Sequence, residues 1–229
     1  MKIYFVRHGH PNYKLDCLTE EGHKQAEIAA EYLRNSGIEV IYASSMGRAM
    51  QTAEHTAQVL GLPVETRDFI RELGWKSIDD TPIVANGHPW NVSSYRISQN
   101  QTLLNVDWRE DEPYCRSLIV ERVKIVTDGI DAWLAEFGFV REGEFYRVSG
   151  ESPYKTVAMF SHAGASSAAL SHMFNIPFPQ FCAAFNVNFV SSIVVELNGK
   201  PGELVYPKFI LLDDVLYKDE LRPENFYGN

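Results

Sequence analysis

Ile3-Tyr4-Phe5-Val6-Arg7-His8-Gly9 sets four β-branched or aromatic residues in a row, then two basic residues and a glycine. Such a run predicts a short strand buried on both faces, the kind found in parallel sheets. Two later stretches repeat the pattern. Val40-Ile41-Tyr42-Ala43 runs into Ser44-Ser45, with Arg48 just inside the next helix, and Thr156-Val157-Ala158-Met159-Phe160 runs into Ser161-His162-Ala163-Gly164. Helical segments lie between them. Thr19 reads as an N-cap, with Glu20 and Glu21 in the first turn, Ala26, Ala29, Ala30 and Leu33 at helical spacing, and Gly37 as the stop. A second helix carries Ala49, Ala53, Thr56, Ala57 and Leu60 on one face, stops at Gly61-Leu62-Pro63, and is followed by a short strand near Val64. A third runs from about Ala163 to Phe174. This alternation predicts an α/β fold whose mostly parallel central sheet is covered on both faces.

Between these parts the pattern changes. From about Trp75 to Glu112 there is little periodicity and many polar and turn residues, Asn86-Gly87-His88-Pro89 and Ser93 through Gln101 among them, which reads as an irregular insertion. A long helix then begins near Pro113, with Ile119, Val123, Val126, Ile130, Trp133, Leu134 and Phe137 as one apolar stripe. The whole chain, 1–229, is expected to be one domain, with a partly helical cap insertion at about 75–150. Ser192–Leu197 and Leu204–Leu212 are further strand candidates, before Asp213-Asp214 and a polar tail.

Composition narrows the class. Of 229 residues, 45% are hydrophobic and 22% charged, with a formal net charge of −9, a soluble globular profile that argues against a nucleic-acid or anionic-membrane partner. Cys17, Cys115 and Cys182 are widely spaced and odd in number, which suggests neither a disulfide framework nor a zinc knuckle. The N-terminal apolar run is only four residues long, and no apolar stretch approaches the roughly 20 residues of a membrane span. A cytoplasmic protein is expected, with its oligomeric state unreadable.

In an open α/β sheet, ligands bind at the carboxyl ends of the strands. Arg7, His8, Arg48 and His162 all stand at or just beyond such ends, with helix N-termini, at Ala163 for one, that favour anions. In an acidic protein, a convergence of basic groups calls for an anion to offset their repulsion, and a phosphoryl group fits. A histidine is neutral and nucleophilic at pH 7 if neighbouring cations depress its pKa, and Arg7, Arg48 and a protonated His162 can do so while bonding the phosphoryl oxygens. An acid must protonate the departing alkoxide. Glu72, in Phe69-Ile70-Arg71-Glu72-Leu73-Gly74-Trp75, is the candidate, because it follows the third strand and opens the cap.

Four stretches, in order along the chain, carry a resemblance: Val6-Arg7-His8-Gly9; Leu18-Thr19-Glu20-Glu21-Gly22 with Gln25-Ala26; Tyr42-Ala43-Ser44-Ser45 leading to Arg48-Ala49 and Gln51-Thr52-Ala53; and Ser161-His162-Ala163-Gly164. They resemble the histidine phosphatase superfamily, which includes cofactor-dependent phosphoglycerate mutases and many small-molecule phosphatases. The resemblance implies a three-layer α/β/α sandwich, a phosphohistidine on His8, a phosphate pocket of Arg7, Arg48 and His162, and a proton donor at Glu72. The implied activity is hydrolysis of a small-molecule phosphomonoester without metal or other cofactor. Two positions depart from the family. Gly9-His10-Pro11-Asn12 lacks the usual hydroxyl after the histidine, so Asn12 supplies either a phosphate contact or only a turn, and Ser161 stands where glycine is common.

Other readings stay open. His8-x-His10 has metal-ligand spacing, yet Asn12 and Tyr13 follow where an Asp-His pair would complete a dinuclear site. Glu54-His55 reads as helix surface. A mutase-type phosphotransferase would hold a second acidic group of its substrate, for which Arg96, Arg109 and Arg116 are available. A catalytically weak phosphate binder is the alternative outside the enzymes, though a binder has no need of a nucleophile.

Overall fold

The computed structural model describes residues 1–76, 89–101 and 107–215. Its first half runs β1 (Lys2–Arg7), β2 (Pro11–Asn12), β3 (Cys17–Leu18), α1 (Glu20–Leu33), β4 (Val40–Ala43), α2 (Gly47–Leu60) and β5 (Val64–Thr66). There follow α3 (Pro89–Ser98), α4 (Ile119–Glu136), β6 (Phe139–Glu142), β7 (Phe145–Val148), β8 (Thr156–Ser161), α5 (Ala163–Met173) and α6 (Phe178–Ala184). The last strands are β9 (Ser191–Glu196), β10 (Leu204–Val205) and β11 (Lys208–Val215).

The central sheet has the order β11-β9-β1-β8-β4-β5. Strands β1, β8, β4 and β5 are parallel neighbours, and β9 runs antiparallel to both β1 and β11. Apolar side chains leave both faces of β1, which is why its sequence is continuous rather than alternating. Ile3 and Phe5 pack on one side with Val157, Met159, Val126, Ile130 and Trp133, beneath α4 and α5. Val6 packs on the other with Ala158, Phe160, Ala29, Leu33 and Ala53, beneath α1 and α2. The architecture is thus a sandwich of helices, sheet and helices. Among the described residues no helix is long and apolar enough to cross a membrane.

Local chemistry fixes the ends. Thr19 caps α1, its Oγ1 accepting from the Gly22 N–H at 3.1 Å, a contact of a kind that contributes about 1 kcal/mol. Gly61 closes α2 in the left-handed region, at φ 68°. Gly22 has a second duty. A Cβ there would lie 2.2 Å from the His10 carbonyl oxygen, and one on Gly9 would lie 2.6 Å from the Gly22 oxygen. Both neighbours are backbone, so the turn after β1 and the start of α1 touch without side chains. Gly22→Ala is expected to destabilise the protein by about 1–3 kcal/mol, lowering Tm by about 2–4 °C per kcal/mol in a chain of this size. Calorimetry against the wild type checks this.

Several expectations need amendment. Residues 89–98, read as irregular, form α3. Its core contacts include Ser93, whose Oγ donates to the Pro179 carbonyl at 2.9 Å and lies 3.2 Å from the Tyr114 hydroxyl, so a polar residue sits where an apolar one would have revealed the period. The helix expected near Pro113 begins at Ile119, after a short 3-10 turn at Tyr114–Arg116. Within 75–150, α4 packs against α5 and the sheet as one of the covering helices, and β6 and β7 form a hairpin that β10 joins. The single strand expected over Leu204–Leu212 is two, β10 and β11, in different sheets. Pro207 lies in the break and has no N–H for a ladder. The short α6 was not anticipated. Asn86-Gly87-His88 and the tail 216–229 lie outside the described residues.

Candidate active site

The parallel register brings three strand ends together. Arg7 stands opposite Ser161, the His8 N–H donates to the Ser161 carbonyl at 3.0 Å, and the Ser44 N–H donates to the Phe160 carbonyl at 2.9 Å. The side chains that follow are therefore neighbours. The His8 and His162 rings are 5.1 Å apart, and the Nε–H of Arg48 donates to His8 Nε2 at 3.2 Å.

His8 has a defined tautomer. Its Nδ1 lies 2.7 Å from the Gly9 carbonyl oxygen, which can only accept, so Nδ1 carries the proton and Nε2 presents a lone pair. The turn is pinned from α2: the Gly9 N–H donates to Thr52 Oγ1 at 3.0 Å, and that hydroxyl donates to the Arg48 carbonyl at 2.8 Å. Only 1% of His8 is exposed. Burial first, then Arg7, His162 and Arg48, holds its pKa well below the usual 6.5 of a histidine, although its bond to Gly9 opposes this.

Arg7 donates from Nη1 to the Val187 carbonyl at 2.6 Å and lies 3.9 Å from the centre of the Phe189 ring. Arg48 is buried. Its Nη1 pairs with Asp16, whose other oxygen accepts from the Gly47 N–H at 2.8 Å. His162 is fully buried, with Nε2 2.9 Å from Ser44 Oγ and with no protein partner for Nδ1 among the described residues. An unpaired buried polar atom costs about 1–3 kcal/mol, a cost that a bound ligand can relieve. Burial first, then Arg48, Arg7 and Arg71, lowers the His162 pKa well below 6.5. Burial and, after it, the cations in the same pocket thus disfavour the protonated form of His162 expected from sequence.

Glu72 reaches the same edge. Its Oε1 accepts from the Ala165 N–H at 3.1 Å and the Leu73 N–H at 3.0 Å, placing the carboxyl at the start of α5 beside His162. Burial raises its pKa above the usual 4.5, opposed by those backbone bonds and by Arg7 and Arg48. Ala163 is the first residue of α5, after His162 at the N-cap. Asn12 Oδ1 accepts from the N–H groups of Lys14 and Leu15, each at 3.2 Å. That oxygen serves the turn, and only the amide NH2 is left to approach an anion. A cavity of about 270 Å³ opens beside Glu72, lined by Met46, Arg71, Gly74, Arg122 and Val126 among others.

Sequence reading gave no role at this site to Asp16, Thr52, Phe189 or Tyr13, whose ring lies 5.4 Å from the Arg48 guanidinium carbon. Each looks like an ordinary loop or helix residue, and only the three-dimensional contact marks it. The other singled-out residues are engaged elsewhere. His10 Nδ1 lies 2.9 Å from Thr19 Oγ1, and His55 Nε2 lies 3.0 Å from His23 Nδ1, between α2 and α1. Arg96 pairs with Asp111, and Arg109 with Asp107. Among the described residues, no three His, Cys, Asp or Glu side chains are grouped to hold a metal ion.

Residues 3–208 match the family model described as histidine phosphatase superfamily (branch 1). The probable phosphoglycerate mutase GpmB of Yersinia pestis (strain Pestoides F) is 35% identical over 92 residues, 36% of this chain and 43% of that protein. The match thus spans less than half the length of these curated relatives. A mycobacterial glucosyl-3-phosphoglycerate phosphatase solved with VO3 is similar at a TM-score of 0.62 and 20% identity, covering 93% of this chain and 99% of that one. The alpha-ribazole phosphatase of Shigella flexneri has a TM-score of 0.62 at 18% identity, covering 93% and 96%. At these identities the structural likeness concerns the fold.

Proposed function

The chain belongs to the histidine phosphatase superfamily, branch 1, and from that premise we propose that it hydrolyses a small-molecule phosphomonoester through a phosphohistidine on His8, without a metal ion. The observation that carries this reading is the His8 Nε2 lone pair, set among Arg7, Arg48 and His162 with its ring pinned by Gly9.

The roles follow from the chemistry. The incoming phosphoryl group draws Arg48 Nε away from His8 Nε2 and onto its own oxygens, alongside Arg7, His162 and the first N–H groups of α5 at Ala163. Asn12 adds its amide NH2 where the turn allows. Nε2 attacks phosphorus, the bond to the leaving oxygen breaks, and Glu72 gives that oxygen its proton. Glu72 then takes a proton from the water that attacks the phosphohistidine, and phosphate leaves. Positioned cations stabilise the charge spread over the transferring group. The three described cysteines are unpaired, and a reducing, cytoplasmic setting goes with this reading.

His8 must be neutral to attack and Glu72 protonated to give. Activity therefore rises as pH climbs through the lowered His8 value and falls as Glu72 loses its proton above the usual carboxylate range, which gives a bell between the two titrations. Turnover of phenyl phosphate across pH, in excess EDTA, is the test. A bell-shaped profile whose rising limb lies below 6.5, unaffected by the chelator, is expected. A profile without that alkaline fall, or activity removed by EDTA and restored by metal, overturns the proposal. The GpmB relatives favour a second reading, a mutase-type phosphotransferase. Product analysis separates the two: a phosphatase releases inorganic phosphate, whereas a mutase returns the group to an acceptor hydroxyl.

A further inference from the structure

The cavity beside Glu72 carries a charge pattern that the phosphoryl pocket does not explain. Its walls are apolar at Met46, Phe69, Leu73 and Val126, and two guanidinium groups, Arg71 and Arg122, stand at its rim. Arg34, Arg109 and Arg147, which also face solvent, each pair with a carboxylate: Arg34 with Glu31, Arg109 with Asp107, Arg147 with Glu142. Arg122 has no such partner among the described residues. Its neighbours three and four positions along α4 are Leu118, Ile119, Ile125 and Val126, so nothing on its own helix neutralises it. Gly74 brings bare backbone to the guanidinium, and even a Cβ there would lie 3.8 Å from Arg122 Nε. Arg71 is held differently. Its Nη1 donates to Ser45 Oγ at 2.7 Å, and that hydroxyl donates in turn to Asp68. Asp68, the acid among the lining residues other than Glu72, is thus already engaged.

If Glu72 protonates the leaving oxygen, the rest of the leaving group lies within reach of this cavity. We propose that the leaving group carries a second anion, a carboxylate or phosphate, bound by Arg122 with Arg71 and joined to the reacting oxygen by a short stem that fits the apolar walls. This rests on the phosphatase reading, and it makes Arg122 a specificity-determining residue for that reaction. Arginine suits the role because its planar fork bonds either anion at two points.

Phenyl phosphate and 3-carboxyphenyl phosphate differ by one such anion. The wild type is expected to favour the carboxylated compound about tenfold in kcat/KM, or about 1.4 kcal/mol. Arg122→Ala is expected to bring the ratio close to one, and Arg122→Glu to invert it by charge repulsion. A wild-type ratio near one, or a ratio that neither substitution changes, overturns the proposal. Calorimetric binding of phenylphosphonate and its 3-carboxy analogue tests the same preference without turnover. If neither phosphate ester is hydrolysed, the phosphatase reading fails, and the phosphonate ratio alone then decides the anion site. Equal affinities for the two phosphonates refute it.

Discussion

His8→Ala is expected to abolish both turnover and covalent labelling, with kcat falling by about 10⁴-fold or more, the scale of loss when an enzyme loses its nucleophile. Nε2 is the atom that must bond phosphorus, and no neighbouring group replaces it. Arg7 and Arg48 are cationic, and His162, with Nε2 on Ser44 Oγ, offers the phosphoryl oxygens a proton from Nδ1 in the proposed mechanism and so has no free lone pair. Stopping a reaction on an aryl phosphate in mild base, where phosphohistidine survives, should leave label on the wild type and none on the variant. The variant also frees Arg48 Nε from its His8 partner, so it should still bind inorganic phosphate and gain thermal stability from it. Undiminished turnover after the substitution refutes the mechanism. Loss of both turnover and phosphate stabilisation would signal a collapsed pocket, and His8→Asn, closer in size and polarity, then tests the chemistry in an intact one.

Glu72→Gln has the second largest effect, and its size depends on the substrate. General acid catalysis is worth about 10²–10⁴-fold, and an alkoxide leaving group needs it most. With an alkyl phosphate the loss should reach that range. With p-nitrophenyl phosphate, whose phenolate departs without a proton, it should shrink to a small fraction of it. Glutamine keeps the carbonyl that accepts from the Ala165 and Leu73 N–H groups, so the loop holds its place. The alkaline fall in the wild-type profile should disappear, because the group that titrates there is gone. Equal losses on both substrates, with the pH profile unchanged, assign the proton to a different donor.

Much of this was legible in the sequence for a physical reason. Strands buried on both faces, such as Ile3–Val6 and Thr156–Phe160, have no polar side to dilute the apolar run, and a ligand-binding edge follows from where such strands stop. Arg7, His8, Arg48 and His162 could be read because each sits at the end of a strand or within five residues past it. Glu72 lies in an irregular loop, where its place after the third strand made it a candidate and the resemblance to the family added weight. Asp16 and Phe189 were invisible, since each acts only by reaching a residue distant in sequence. α3 was missed because hydrogen-bonded Ser93 stands in for an apolar residue, and the β10–β11 break because Tyr206-Pro207 interrupts a run of otherwise strand-like residues.

The pairing of β1 also bears on when the protein becomes reactive. Lys2 lies beside Thr156 on one side and Glu196 on the other, so β1 takes both of its neighbours from far along the chain. Contacts of such sequence separation slow folding. Arg48, His162 and the Ser161 carbonyl surround His8 only once β1, β4 and β8 have paired, so on the proposed mechanism reactivity toward an aryl phosphate is expected to appear with the sheet and not in any fragment of it.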